Sequence, residues 1–165
     1  MQSTVDSVEF RKAMGEFATG ITVVTTMDGE LIRGMTANSF TSVSLTPPLI
    51  LVSVDKRANH FRYITQTKSF GVSVLAADQE AISRHFAGHP SPEIESSLRF
   101  TQFQGIPVLE DCNMWAACHL WATYDGGDHA LFVGEVLSHH RTDGEPLLFY
   151  RGQYHVLQST TSTSV

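Results

Sequence analysis

β-Branched apolar runs separated by short polar turns dominate the chain, and helical spacing shows at only a few places. "ITVVTTM" (residues 21–27), "LIRGMTANSF" (31–40), "LILVSV" (49–54) and "SFGVSVLA" (69–76) read as strands, the third apolar enough to have neighbours on both sides. "MWAACHLWATY" (114–124), "HALFVGEVLSHH" (129–140) and "PLLFYRGQYHVL" (146–157) add three more. "DGE" is a turn after the first strand, and Pro47 with Pro48 breaks the stretch before the third. Asp6 offers a helix N-cap with Glu9 as its capping-box partner. Phe10, Ala13, Met14 and Phe17 then recur at helical spacing, one apolar face, with Gly20 as the stop. "RANHFRYITQTK" (57–68) predicts a second helix, and "QEAISRHFAG" (79–88) a third with Asp78 as its cap. Residues 88–105, with Pro90 and Pro92, read as loop. The first five residues read as frayed.

Six or more strands with two or three helices, several strands joined by tight turns, predict a mainly β fold: an antiparallel sheet closed into a barrel. No internal repeat or linker interrupts the pattern. One domain over residues 1–158 is expected, with a tail at 159–165 too poor in apolar groups to order.

Composition narrows the function. With 165 residues, 42% hydrophobic and 17% charged, the chain can bury a core without staples. The net charge of −6, from 11 basic and 17 acidic residues, argues against nucleic acid and acidic membrane surfaces. Cys112 and Cys118 have neither zinc spacing nor a disulfide framework, and their apolar surroundings predict buried thiols. No secretory leader and no membrane-length apolar run is visible, so a soluble protein of a reducing cytoplasm is expected. The common nucleotide and metal signatures are missing: no G-x-G-x-x-G after a strand, no P-loop, no H-E-x-x-H and no C-x-x-C.

Four segments carry candidate chemistry. Between residues 36 and 44, Thr36, Asn38, Ser39, Thr41, Ser42 and Ser44 crowd uncharged polar groups onto one strand. They could hydrogen-bond the edge of a neutral heteroaromatic ring, or form a solvated Thr/Ser strand. In "SVDKRANHF", Lys56 and Arg57 precede Asn59 at a helix start, which suits an anion or a plain charged turn; Arg84 and Phe86 of "SRHF" could add a cation and an aromatic wall. "YDGGDHALFVGEV" places a turn before His129. A metal site is not favoured, because the adjacent His139 and His140 point to opposite strand faces. Tyr150, Arg151 and Gly152 interrupt the last strand, and an Arg between tyrosines can stack on a ring or hold a phosphate.

Taken together, "FRKAMGEFATGITVVTT", "GMTANSFTSVSLTPPLILVSVDKRA", "GDHALFVGEV" and "PLLFYRGQY" resemble the short-chain flavin reductases, the small component of two-component flavin-dependent monooxygenases acting on phenol, 4-hydroxyphenylacetate or styrene. The likeness covers roughly residues 8–157. It implies a split, Greek-key β-barrel with a few short flanking helices, usually a homodimer. It also implies hydride transfer from NADH, with NADPH left open, to FAD or FMN, and release of reduced flavin to an oxygenase. By the resemblance, Met35, Thr36, Ala37, Asn38 and Ser39 line the isoalloxazine, and Ser53, Val54 and Asp55 add backbone contacts. Lys56 and Asn59 lie near the ribityl phosphate, and Arg84, His85 and Phe86 further along the cofactor. His129 faces the nicotinamide, and Tyr150, Arg151 and Gly152 touch the pyridine nucleotide. A pyridoxamine-phosphate-oxidase-like flavoenzyme, a non-catalytic flavin carrier and a purely structural barrel dimer remain as alternatives.

Overall fold

The computed structural model describes residues 5–158. The expectations for the first four residues and for the tail at 159–165 fall outside the described residues.

Helix α1 (Ser7–Met14) starts where expected: the Asp6 carboxylate accepts from the Val8 and Glu9 amides. The reciprocal half of the capping box does not form, because the Glu9 carboxylate takes Lys12 at 2.8 Å instead. The helix also ends earlier than Gly20. Amide bonds from Glu16 to Ala13 and from Phe17 to Met14 tighten the last turn, and strand β1 (Thr19–Gly20) follows. None of its residues is buried.

Strands β2 (Thr22–Asp28) and β3 (Leu31–Ala37) form a hairpin turning at Gly29, whose φ of 63° a side chain would resist. The segment 31–40 is not one strand: it breaks at Asn38 and Ser39, and β4 (Phe40–Leu45) begins anew. β4 turns through Thr46 and Pro47 into β5 (Pro48–Asp55). Alternation along β5 buries Ile50, Val52 and Val54. Helix α2 (Asn59–Thr67) and strand β6 (Ser69–Val74) follow. Helix α3 (Glu80–Phe86) begins after Gln79, not Asp78, and Gln79 Oε1 accepts instead from the Ala76 amide.

Residues 88–105 are not a continuous loop. Ser91 caps helix α4 (Pro92–Ser97), with Pro92 at the first helical position where its missing amide costs nothing. Strands β7 (Phe100–Phe103) and β8 (Ile106–Leu109) form a small hairpin, and β8 is buried throughout. The long strands β9 (Met114–Gly126) and β10 (His129–Arg141) pair along their length. The last predicted strand is itself a hairpin, β11 (Leu147–Tyr150) and β12 (Gln153–Val156). Its two-residue loop puts Arg151 at φ 51° and Gly152 at φ 77°, the left-handed pair that matches strand twist.

Seven strands run in the order β3-β2-β6-β9-β10-β5-β4, a second sheet in the order β1-β11-β12, and every pairing is antiparallel. The fold is thus mainly β with a few short helices. One core lies around Val24, Val52, Phe70, Phe132 and Ile64, and a second around Val23, Leu75, Leu109 and Leu147. Among the described residues no helix is long and apolar enough to cross a membrane.

Candidate active site

Two polar regions emerge from this sheet. The first lies at one end of the β4–β5–β10 ladder. Register there sets His129 opposite Asp55, Ala130 opposite Val54 and Leu131 opposite Ser53. Val54 and Ala130 are buried, so Val54 presents only backbone. Ser39 closes onto Ser53: its hydroxyl donates to the Ser53 carbonyl at 2.8 Å, and the Ser53 amide donates to the Ser39 carbonyl at 3.2 Å. Asp55 accepts from the Arg57 amide at 2.8 Å and from its guanidinium at 2.7 Å, which holds its carboxyl far below the usual range. The Lys56 ammonium is bound to the Asp125 carboxylate and to the Gly127 carbonyl, the latter at 2.6 Å. His129 Nδ1 meets Asp128 Oδ1 at 2.7 Å, and that bond pulls the Asp128 carboxyl down. Nδ1 is thus engaged by Asp128, which leaves Nε2 as the other ring nitrogen of a half-buried imidazole.

The second region lies where α3 crosses β3. Strand alternation sends Met35 and Ala37 toward the first core, where they pack, and turns Gly34 and Thr36 to α3. The Thr36 hydroxyl donates to the Ser83 carbonyl at 2.6 Å. Phe86 occupies the space a Cβ at Gly34 would need, with its ring 2.5 Å from that position, so this glycine lets the helix come down on the strand. Buried Ser83 shares a 2.9 Å hydroxyl bond with Tyr154, and the Arg84 guanidinium lies 4.8 Å from the Tyr154 ring centre while pairing with Glu80. Asn38 is exposed beside them. A cleft of about 850 Å³ opens between β3, α2, α3 and α4, lined among others by Gly34, Asn59, His85 and Phe86. α2 begins at its mouth with Ala58 as N-cap, which offers the first-turn amides no side-chain acceptor. An uncapped helix start attracts an anion. His85 is fixed by the Ser91 amide, 3.0 Å from its Nδ1, and by edge contact with Phe86.

Tyr150, Arg151 and Gly152 stand elsewhere, against α1. Arg151 grips Glu16 at 2.7 Å, Tyr150 donates to the same carboxylate at 3.2 Å, and the Arg151 amide donates to the Gly15 carbonyl at 3.1 Å. Glu16 is held below its usual range by Arg151 first. The structure therefore brings Ser39, Ser53, Asp55, Lys56 and His129 to one strand end, Asn59, His85 and Phe86 around one cleft, and Thr36, Ala37 and Asn38 to a separate small cavity beside Ser83 and Tyr154. The 150–152 turn joins neither through any bond described above. Sequence reasoning passed over Asp125, Asp128, Ser83, Tyr154 and Glu16 as partners. Asp128 stood next to His129, whereas the others are joined only by the fold.

Charge at these places is neutralised in pairs: Asp55 with Arg57, Lys56 with Asp125, Arg84 with Glu80, Arg151 with Glu16. What remains is a neutral hydrogen-bonding surface beside a large cleft with an uncapped helix start. That set suits a flat heteroaromatic ring with a phosphate tail, and among the described residues no cluster could hold a metal ion.

Comparison with known proteins agrees. Residues 14–158 match the model of the flavin reductase like domain. An NADH-dependent flavin reductase of a Rhodococcus species is 45% identical over 93% of this chain and 88% of its own. The reductase component of 4-hydroxyphenylacetate 3-monooxygenase from Thermus thermophilus is 40% identical over 88% of this chain and 93% of its own. The solved NADH:FAD oxidoreductase of Streptomyces globisporus, in complex with NAD and FAD fragments, superposes with a TM-score of 0.86 at 38% identity, covering 99% of each chain.

Proposed function

Because this chain belongs to the flavin reductase-like domain family, we propose how its own residues carry the family's reaction. It is an NADH-dependent flavin reductase that passes a hydride to FAD or FMN and yields reduced flavin to a monooxygenase component. The dihydronicotinamide supplies the hydride and the flavin accepts it; the protein supplies placement. Asn38 and Ser39, with the backbone of residues 35–37 and 53–55, form the uncharged wall for the ring. Asn59 and the first amides of α2 receive the phosphate, and Arg84, His85 and Phe86 flank the cofactor beyond it. His129, with Nδ1 committed to Asp128, presents Nε2 to the nicotinamide and orients it. Tyr150, Arg151 and Gly152 meet the pyridine nucleotide from the α1 side.

The observation that carries this reading is the pairing of Arg57 with Asp55, Lys56 with Asp125 and Arg84 with Glu80 around a polar wall: none of these cations is left unpaired to grip the ring, so the flavin can leave once reduced. Further elements belong to the same proposal. The seven-stranded sheet curls into a split Greek-key barrel, the described residues forming one domain, working in the cytoplasm. Two copies form a homodimer, supported by Phe10 and Met14 of α1 and Phe17 just beyond it, which are uncovered in the chain. Anaerobic mixing of the protein and flavin with NADH tests the reaction: the yellow absorbance bleaches at a rate that rises with protein. Bleaching no faster than in protein-free solution would refute it. A pyridoxamine-phosphate-oxidase-like enzyme or a passive carrier would give that second result.

A further inference from the structure

Lys56 stands at an unusual point. It follows directly on β5, and all its described polar contacts go to one target, the turn between β9 and β10. Its amide donates to the Asp128 carbonyl at 3.0 Å, its ammonium to the Gly127 carbonyl at 2.6 Å and to the Asp125 carboxylate. The regular β5–β10 register ends at the pair Asp55–His129, so Lys56 extends that ladder by one rung past its end. His129 opens β10 and is paired with Asp55 and Gly126, but the turn before it contains Gly127 at φ 76°, and Lys56 is the side chain that ties this turn to β5 beyond the end of the ladder. The ion pair also draws the Asp125 carboxyl below its usual range.

We infer that Lys56 and Asp125 form a latch that positions His129 against the nicotinamide, tying the dinucleotide-facing turn to the flavin-facing strand. This rests on the reading of His129 above and goes beyond it: Lys56 acts through the turn and not as a phosphate ligand. An ammonium already satisfied by a carboxylate and a carbonyl has little left for a phosphate. An ion pair with Asp125 four-fifths exposed adds little to global stability, so its removal should be felt in alignment first.

The test uses the intact protein with Lys56→Met, Lys56→Arg, Asp125→Asn, His129→Ala and the double variant Lys56→Met/His129→Ala. Steady-state NADH kinetics are measured alongside flavin affinity for FMN and for phosphate-free riboflavin. We expect Lys56→Met and Asp125→Asn each to raise the KM for NADH about tenfold, with the ratio of FMN to riboflavin affinity unchanged. Lys56→Arg should restore most of the loss, and Lys56→Met should add nothing in the His129→Ala background. A Lys56→Met protein that loses FMN but not riboflavin, with Asp125→Asn unaffected, overturns the latch and makes Lys56 a phosphate ligand. Full Lys56→Met losses on top of His129→Ala overturn it as well. Should His129→Ala itself show normal NADH kinetics, the placement of His129 falls and the latch with it. If His129→Ala is impaired while both latch variants are normal, only the latch falls.

Discussion

In the proposed function, His129 is the side chain that meets the nicotinamide. Its ring is held at Nδ1 by Asp128, which fixes the direction of Nε2; hydride transfer itself needs no side-chain acid or base, so the proposed role is to orient the nicotinamide. His129→Ala is therefore expected to raise the KM for NADH about tenfold while shifting flavin affinity far less; steady-state titration of each substrate checks this, and equal losses for both would make His129 a flavin residue. The cysteines are a contrasting case. Burial pushes the Cys112 thiol up to about 11 and Cys118 to about 12. Neither should be alkylated at neutral pH until the protein unfolds, and mass spectrometry after iodoacetamide would show it. At this scale the sequence offered candidate residues and was silent about what they touch. Lys56 stood out before a helix start, His129 after a turn, and Arg151 as an interruption of a strand pattern. Their partners Asp125 and Glu16 did not, because nothing local links position 56 to 125 or 151 to 16.

The strands were legible as elements because β-branched residues alternate along them, and β5 shows the alternation cleanly. Breaks inside elements were harder to see. The stop at Asn38 and Ser39 lies within a run read as one strand, and Arg151 with Gly152 reads as an interruption of a strand and not as a hairpin turn. Arg151 in particular takes a left-handed conformation that its residue type does not advertise, held there by Glu16. α4 was hidden by reading Pro92 as a breaker when, after Ser91, it is a helix starter. The packing of elements sets one sharp requirement. A Cβ on Gly71 of β6 would lie 2.2 Å from the Pro107 carbonyl oxygen of β8 and 2.6 Å from Thr25 Oγ1. Gly71→Ala should thus destabilise by about 3 kcal/mol or more, read as the urea midpoint; a wild-type midpoint would show that β8 yields easily.

For the whole molecule, the four carboxylates Glu16, Asp55, Asp125 and Asp128 are all held low by hydrogen bonds from cationic or histidine partners. Folded values lie below the ordinary 3.8 for Asp and 4.5 for Glu, so their contribution is complete above those values and drains away as pH falls through the folded ones. The urea midpoint should begin to slip as pH falls below about 6.5, where buried His60, held low by desolvation, gains a proton on unfolding; it should drop further below the ordinary carboxylate range, and Arg151→Met should remove the Glu16 share of that second drop. Assembly was the least legible property of all. An apolar face at helical spacing on α1 predicts burial, yet Phe17 is 80% exposed in the single chain. The proposed homodimer supplies the missing cover, so Phe10→Glu with Phe17→Glu should halve the mass seen by light scattering; an unchanged mass would place the interface elsewhere.

The central claim is that a neutral polar wall binds flavin loosely enough for it to be a substrate. The most direct measurement follows NADH absorbance while FMN, FAD and riboflavin are supplied in turn to catalytic amounts of the pure protein. NADH loss that saturates with added flavin and runs through many flavin equivalents per protein molecule is the predicted result. NADH loss no faster than in protein-free flavin, or a single turnover that then stops, would contradict it.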